Sequence, residues 1–172
     1  GVVLTRRVRG RFTDQRPSWP ICPRVLFVWS AAGGEVPQDE HRRALLAALE
    51  PWLPSSNRES VFVEVGDARL RDLEAAVQDA GKGFSHVHLL AHGHPVRKRN
   101  DDRFGIAFNH PVEGMDVVAP EQLSEALKGL RSSAVVLTLA ACDAGNQMDT
   151  ITPEKSLAHE LHVSGLPVVV AS

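Results

Sequence analysis

The stretch SHVHLLAHGH, residues 85–94, sets histidines between apolar residues and then ends on a small residue, a histidine and a glycine before the last histidine. Residues 85–91 have the length and apolar content of a short strand. A strand that runs directly into His92 and Gly93 presents a polar side chain at its carboxyl end. We therefore predict a strand at 85–91 that carries a candidate functional residue just beyond its end.

Strand and helix patterns alternate on both sides of this stretch. Short apolar runs bounded by glycine, proline or polar residues predict strands, and apolar residues spaced three and four apart predict helices. Two shorter runs, 104–109 and 115–119, predict a hairpin beside the main sheet. The alternation favours an α/β fold in which helices cover both faces of a parallel sheet. The main predicted strands are residues 24–30, 60–66, 85–91, 134–141 and 166–172, and the predicted helices are 38–53, 68–81, 120–130 and 153–165.

The composition is that of one folded domain. The 172 residues are enough for a single hydrophobic core. Hydrophobic residues make up 43% of the chain and charged residues 23%, which is typical of globular proteins. Residues 1–23 differ because DQRPSWPICP, residues 14–23, contains three prolines. We interpret 1–23 as an N-terminal lead-in segment and 24–172 as the domain.

Charge and cysteine content argue against several classes of protein. The net charge of -2 gives no electrostatic basis for binding nucleic acid or an anionic membrane surface. No apolar run reaches the roughly 20 residues of a membrane-spanning helix. The two cysteines, Cys22 and Cys142, lie far apart in the sequence and do not form a disulfide framework. We therefore predict a cytoplasmic protein.

We predict neither a cofactor nor a metal. Glycines 33 and 34 follow the first predicted strand, where phosphate binds in nucleotide-binding folds, but SAAGGEVPQ (30–38) lacks both the G-x-G-x-x-G and the G-K-[ST] motif. His86 and His88 alternate onto one face of their strand, where we expect a covering helix. No cysteine or carboxylate accompanies them in a ligand motif.

A second strand end carries the other candidate residue. AVVLTLAA, residues 134–141, is a continuous apolar run typical of a strand buried on both faces, and Cys142 follows it. Parallel α/β sheets bind ligands outside the carboxyl ends of their strands, and a right-handed crossover commonly makes such consecutive strands neighbours. We therefore expect the thiol of Cys142 and the imidazole of His92 at the same edge of the sheet.

An imidazole beside a thiol suits nucleophilic catalysis. The thiolate is the nucleophile, and an imidazole raises the thiolate fraction or protonates the departing amine. The backbone N–H groups of Gly93 and Cys142 are candidates for binding an oxyanion, and Asp143 and His94 are candidates for lining a substrate channel. Each residue also has a structural explanation, since backbone groups often hold a strand-end histidine and free cysteine is often a buried apolar residue. The occurrence of both at neighbouring strand ends favours catalysis.

Two segments resemble a known family. HLLAHG (88–93) and LAACDAG (139–145), with the cysteine 50 residues after the histidine, resemble the caspase-like (clan CD) cysteine peptidases and most closely the bacterial CHAT domain. That family has strands of the type HFAGHG and LSACxxG. The resemblance covers residues 24–172. It implies a caspase-like three-layer αβα sandwich with a mostly parallel sheet, whose C-terminal portion we expect to lie outside this chain.

The resemblance also implies a function. It matches His92 to the catalytic histidine, Cys142 to the nucleophile and Gly93 to the oxyanion-hole glycine of a cysteine endopeptidase that cleaves a protein substrate. Such peptidases are regulated by a partner or another domain, and a role in bacterial defence and a second chain or domain completing the fold are implied as well. Relatives that cleave after arginine or lysine carry an acid two residues before the cysteine. This chain has Ala140 there, so their P1 preference is not transferred.

Two other functions stay open at this stage. A catalytically inactive caspase-like domain would act as an interaction module, and its partner binding would not depend on His92 or Cys142. A flavodoxin-like domain would bind a small molecule, and it would retain a nucleotide or flavin on purification.

Overall fold

The computed structural model describes residues 19–54, 58–79, 83–96, 103–130, 133–141 and 157–171. Strands and helices alternate along these residues, as the sequence predicts. The strands are β1 (Val25–Trp29), β2 (Phe62–Val65), β3 (His86–Leu90), β4 (Gly93–Pro95), β5 (Phe104–His110), β6 (Gly114–Val118), β7 (Val136–Ala140) and β8 (Val168–Ala171), and the α-helices are α1 (Gln38–Leu49), α2 (Leu70–Gln78), α3 (Pro120–Ala126) and α4 (Leu157–Val163).

The main sheet has five strands in the order β2-β1-β3-β7-β8, and every neighbouring pair is parallel. β3 pairs with β7 so that Leu90 stands opposite Ala140. The predicted neighbourhood of these two strands is therefore confirmed. The α/β fold class with a mostly parallel sheet flanked by helices is also confirmed, and the architecture is that of a caspase-like sandwich.

One face of the sheet carries most of the core. Helices α2, α3 and α4 lie on this face and pack side by side. Buried side chains from the central strands meet apolar side chains of these helices, because alternate strand residues point to the same face. The strand residues in this cluster include Leu26, Val28, Val87, Leu89, Leu137 and Leu139, and the helix residues include Leu73, Val77, Leu123, Leu157 and Leu161.

The opposite face is covered unevenly. α1 is the helix that packs on it among the described residues, where Leu45 and Leu49 contact apolar residues of β1 and β2. Burial on both faces, which AVVLTLAA predicts, is wrong for β7. Leu137 and Leu139 are buried, but Val136, Thr138 and Ala140 on the α1 side are only half-buried. Among the described residues, α1 packs over β1, β2 and His88 of β3.

A separate three-stranded antiparallel sheet has the order β4-β5-β6. The hairpin of β5 and β6 confirms the prediction of two short strands beside the main sheet. β4 was not predicted, because its three residues have no alternating apolar pattern. The hairpin is joined to the loop after β2, since the Asn109 N–H donates to the Ala68 carbonyl at 3.0 Å and the Asn109 side chain donates to Asp67.

α1 and α3 each give way to a 3₁₀ turn before the end that their patterns predict. α1 ends at Leu49, and a 3₁₀ turn at Glu50–Trp52 follows it because Pro51 has no N–H to continue the helical ladder. α3 ends at Ala126 and is likewise followed by a 3₁₀ turn, Lys128–Leu130. The element types are unaffected, and only their ends move.

Candidate functional site

The strand order reverses direction between β1 and β3. From β1 the chain goes first to β2 on one side of the sheet and then to β3 on the other side. Open α/β sheets bind their ligands at the carboxyl edge beside such a reversal. His92 lies at this edge, directly after β3, and the loop after β1 packs against its ring.

Backbone hydrogen bonds fix the chain on both sides of His92. The Ala91 N–H donates to the Ala140 carbonyl of β7 at 3.2 Å, and the His92 carbonyl accepts from the Ala107 N–H of β5 at 2.9 Å. His92 is therefore the residue at which the chain leaves the main sheet and enters the small one. The backbone of a residue at such a junction has little conformational freedom.

The imidazole of His92 is held by a main-chain carbonyl. Its Nε2 lies 3.1 Å from the carbonyl oxygen of Glu35, in the loop after β1. A carbonyl oxygen only accepts, so Nε2 carries the hydrogen and Nδ1 of the neutral ring is left as an acceptor. The ring thus presents an unprotonated nitrogen, which is the form that a general base needs.

His94 and the glycine pair lie beside this ring. The ring centroids of His92 and His94 are 6.4 Å apart. Gly33 faces the His94 ring and Gly34 faces the His92 ring. Sequence reasoning considered this pair only as a phosphate loop and missed its contact with the histidines. The signal was available in part, because a Gly-Gly pair directly after one strand and His-Gly directly after its neighbour share one sheet edge.

The N–H of Gly93 points away from the β5 ladder. In β4 and β5 the hydrogen-bonded pairs include 92 with 107 and 96 with 103, as the bonds from Ala107 to His92 and from Val96 to Arg103 show. These pairs alternate with non-hydrogen-bonded ones, and Gly93 with Ile106 is of the second kind. The Gly93 N–H is thus not used by this pairing, as an oxyanion-binding donor requires.

Cys142 and Asp143 lie outside the described residues. The last described residue of this segment is Ala141, which is buried in the main core cluster. Since Leu90 pairs with Ala140, His92 and Cys142 each follow a member of that pair by two residues. The structure therefore places the ends of β3 and β7 side by side.

The other histidines of β3 have different surroundings. His88 faces α1, as predicted, and its Nε2 lies 2.7 Å from Nδ1 of His41. Burial, assisted by the neighbouring His41, lowers the pKa of His88 from 6.5 to about 4. His86 bonds to Ser85 and lies 6.3 Å from the Trp19 ring, and burial lowers its pKa as well. Neither histidine reaches the carboxyl edge.

No three His, Cys, Asp or Glu side chains come close enough to hold a metal ion within the described part of the chain. Two clefts occur elsewhere. One lies between α2 and α3 around Val77 and Gly129, and the other lies near Trp52 and Phe84 at the amino-terminal end of the sheet. Neither includes His92, and the candidate site lies where the loops after β1 and β3 meet.

Comparison with known proteins agrees with the fold. The parallel sheet flanked by helices is that of the caspase-like proteins. The family model of the CHAT domain matches residues 27–172, which is most of the chain. The chain therefore belongs to the CHAT domain family, whose domains are of the caspase-like cysteine peptidase type. No curated protein matches the chain. Among the described residues, no helix is both long and apolar enough to cross a bilayer.

Proposed function

We propose that this protein is a cysteine endopeptidase in which Cys142 and His92 form the catalytic dyad. The observation that carries the proposal is the pairing of β3 with β7, which puts the residues before His92 and Cys142 side by side at the carboxyl edge. One peptide bond joins each of them to a described neighbour, Ala91 or Ala141. Consecutive Cα atoms are about 3.8 Å apart, so neither residue lies far from this edge.

The proposed chemistry uses the tautomer of His92. Nδ1 accepts the proton of the Cys142 thiol, and the thiolate sulfur forms a bond to the scissile carbonyl carbon. The N–H groups of Gly93 and Cys142 bind the oxyanion of the tetrahedral intermediate. The protonated imidazole then donates its proton to the departing amine, and the acyl-enzyme is released by water. The Glu35 carbonyl accepts from Nε2 in both protonation states of the ring.

Asp143 and His94 belong to the proposal as substrate-binding residues. His94 is supported by its position beside the His92 ring in β4. Asp143 is supported only by its place in the sequence directly after the nucleophile. The proposed substrate is a protein or peptide, as the resemblance to this family implies.

We also propose that a second chain or domain completes the fold and regulates the site. The supporting observation is a half-buried surface at the edge of the sheet. It is formed by Val136 and Thr138 of β7 and by Val170 of the edge strand β8. Apolar sheet surface of this kind is normally covered. A role in bacterial defence forms part of the same proposal and rests on the family resemblance alone. A cytoplasmic location is proposed from the two cysteines, which lie far apart in the sequence.

The test is alkylation of Cys142 by a peptidyl electrophile. Cys22 is free and exposed, so it would also react, and the experiment therefore uses the Cys22→Ser chain. An ordinary thiol has a pKa near 8.5 and is almost fully protonated at pH 6. We expect labelling at pH 6 to be at least about tenfold faster with His92 present than in the His92→Gln chain. Mass spectrometry of the labelled peptide gives both rates.

The control is Cys142→Ala in the same Cys22→Ser chain, which should not be labelled. Labelling of Cys142 that is equally slow with and without His92 would contradict the dyad. That outcome would favour the second candidate, a catalytically inactive interaction module. The half-buried sheet surface beside β8 is the observation that supports this alternative.

A further inference from the structure

We propose that Gly33 and Gly34 are positioning residues that set the tautomer of His92. Both have backbone angles that other residues rarely adopt, with φ of +87° for Gly33 and +150° for Gly34. They directly precede Glu35, whose carbonyl accepts from His92 Nε2. The catalytic consequence of this inference rests on the proposed function, but the tautomer itself does not.

Both glycines lie so close to the imidazoles that a side chain at either position would require a ring or the loop to shift. A Cβ on Gly34 would be 3.2 Å from Nε2 of His92, the atom that donates to the Glu35 carbonyl. A Cβ on Gly33 would be 2.8 Å from Nε2 of His94 and 3.4 Å from Sδ of Met115. Gly34 therefore lies against the His92 ring and Gly33 against the His94 ring. The absence of a Cβ at both positions lets the loop approach both rings.

The loop is anchored so that it cannot simply move away from the rings. The Gly34 N–H donates to the Ala31 carbonyl at 3.0 Å and closes the turn. The buried Ser30 links the loop base to β3, because its N–H donates to the Leu90 carbonyl at 3.0 Å. Its hydroxyl also accepts from the Ala32 N–H at 3.3 Å. A side chain at position 34 would thus displace the imidazole before it displaced the loop base.

Loss of the Glu35 contact removes the acceptor that holds the ring in the Nε2–H tautomer. A neutral imidazole exchanges its proton between the two nitrogens, and the partner of one nitrogen decides which is protonated. Without the carbonyl acceptor, Nδ1 carries the hydrogen in part of the molecules and cannot accept a proton there. Displacement of a catalytic group by about 1 Å can cost on the order of 10²-fold in rate.

The test measures the ring nitrogens directly. In the ¹⁵N-labelled Cys22→Ser chain, at a pH where His92 is neutral, we expect nitrogen shifts of an Nε2–H tautomer. The His92→Gln spectrum assigns the signal among the eight histidines. In Gly34→Ala the shifts should move toward a mixture of tautomers, and alkylation of Cys142 should slow severalfold, by no more than it slows in the His92→Gln chain.

Gly114→Ala is the matched control. Gly114 also has a positive φ, of +75°, but a Cβ there would meet nothing within 4 Å. It therefore carries the backbone strain of the substitution without the contact to an imidazole. We expect an unchanged His92 tautomer and an unchanged alkylation rate in this chain.

The proposal is overturned if the unsubstituted chain shows an Nδ1–H tautomer, a result that needs no glycine variant to fold. It is also overturned if a folded Gly34→Ala chain keeps both the tautomer and the rate, or if Gly114→Ala loses the tautomer equally. A third outcome separates the two proposals. If Gly34→Ala disturbs the Nε2–H tautomer but Cys142 reacts at the same rate with and without His92, the positioning role is supported and the peptidase proposal is contradicted.

Discussion

His88 and His92 are four residues apart on one chain, yet their imidazoles meet opposite conditions. His92 lies at the carboxyl edge and donates to the Glu35 carbonyl. His88 lies inside the α1 face and bonds to His41 at 2.7 Å, with the Phe27 ring 5.5 Å away. Strand alternation can place both side chains on one face of the sheet, but the surroundings of each imidazole decide what it can do. One is available to a ligand and the other is part of the packing.

Protonation of His88 should destabilise the protein in mild acid. Its pKa is about 4 in the folded chain and 6.5 ordinarily, because burial disfavours the charged ring. A lowered pKa stabilises the folded state above pH 6.5, and that contribution is lost as the pH falls from 6.5 toward 4. The loss is at most about 3 kcal/mol in the free energy of unfolding. Urea unfolding between pH 7 and 4 measures it.

The His88→Gln chain is the comparison, since an amide keeps a polar partner for His41 and does not titrate in this range. The difference in stability between the two chains should shrink or reverse as the pH falls, while contributions common to both cancel. Parallel stability profiles from pH 7 to pH 4 would show that His88 is not held neutral by the fold.

At the scale of elements, α1 supports the loop that carries Glu35. The loop ends at Pro37, which directly precedes α1. The helix is held to the sheet by Arg42, whose Nε donates to Glu64 at 2.7 Å. The same carboxylate accepts from Nε1 of Trp29 in β1 at 2.8 Å. The hydrogen bond from Arg42 is the main cause that lowers the pKa of Glu64. This network fixes the start of α1 and therefore the end of the loop.

Removal of Arg42 should weaken this attachment. We expect Arg42→Ala to lower the free energy of unfolding by about 1 kcal/mol, the upper part of the range for partly exposed ion pairs, because Glu64 also holds Trp29. Arg43→Ala is the control on the same helix, since Arg43 is exposed and its side chain bonds, within the described part of the chain, to the Asp39 carbonyl. It should cost less than about 0.5 kcal/mol. Equal losses in urea unfolding would contradict a special role for Arg42.

At the scale of the whole molecule, the two faces of the sheet carry unequal parts of the core. Three helices pack on one face, and α1 covers only part of the other among the described residues. β8 shows the difference within one strand. Val169 packs against the main cluster, whereas its neighbour Val170 points to the opposite face and joins none of the core clusters of the described residues.

Alanine substitutions in β8 should reveal this asymmetry. Val169→Ala removes apolar contacts in the core and should cost about 1–1.5 kcal/mol in the free energy of unfolding. Val170→Ala removes the same atoms from a partly exposed face and should cost less than about 0.5 kcal/mol in the isolated chain. Thermal or urea unfolding compares the two. A larger loss for Val170→Ala would mean that the α1 side of β8 is the better packed one.

Most of the fold follows from local pattern. Each of the five predicted main strands contains a strand of the main sheet, since apolar runs of this length bury well in a parallel sheet. These runs are residues 24–30, 60–66, 85–91, 134–141 and 166–172. The helix ends were less predictable, because Pro51 stops an apolar period that continues beyond it. β4 escaped prediction because it forms only through pairing with β5.

The sequence by itself determined the α/β class, the neighbouring strands β3 and β7, and the choice of His92 and Cys142 as candidates. Periodicity and crossover handedness act on residues near in sequence, and both are readable from one chain. Only the tertiary structure decided that Gly34 and Glu35 contact the His92 ring and that β7 is only half-buried on its α1 side. These features join residues 57 positions apart or depend on where a helix ends over the sheet, and no local pattern encodes either.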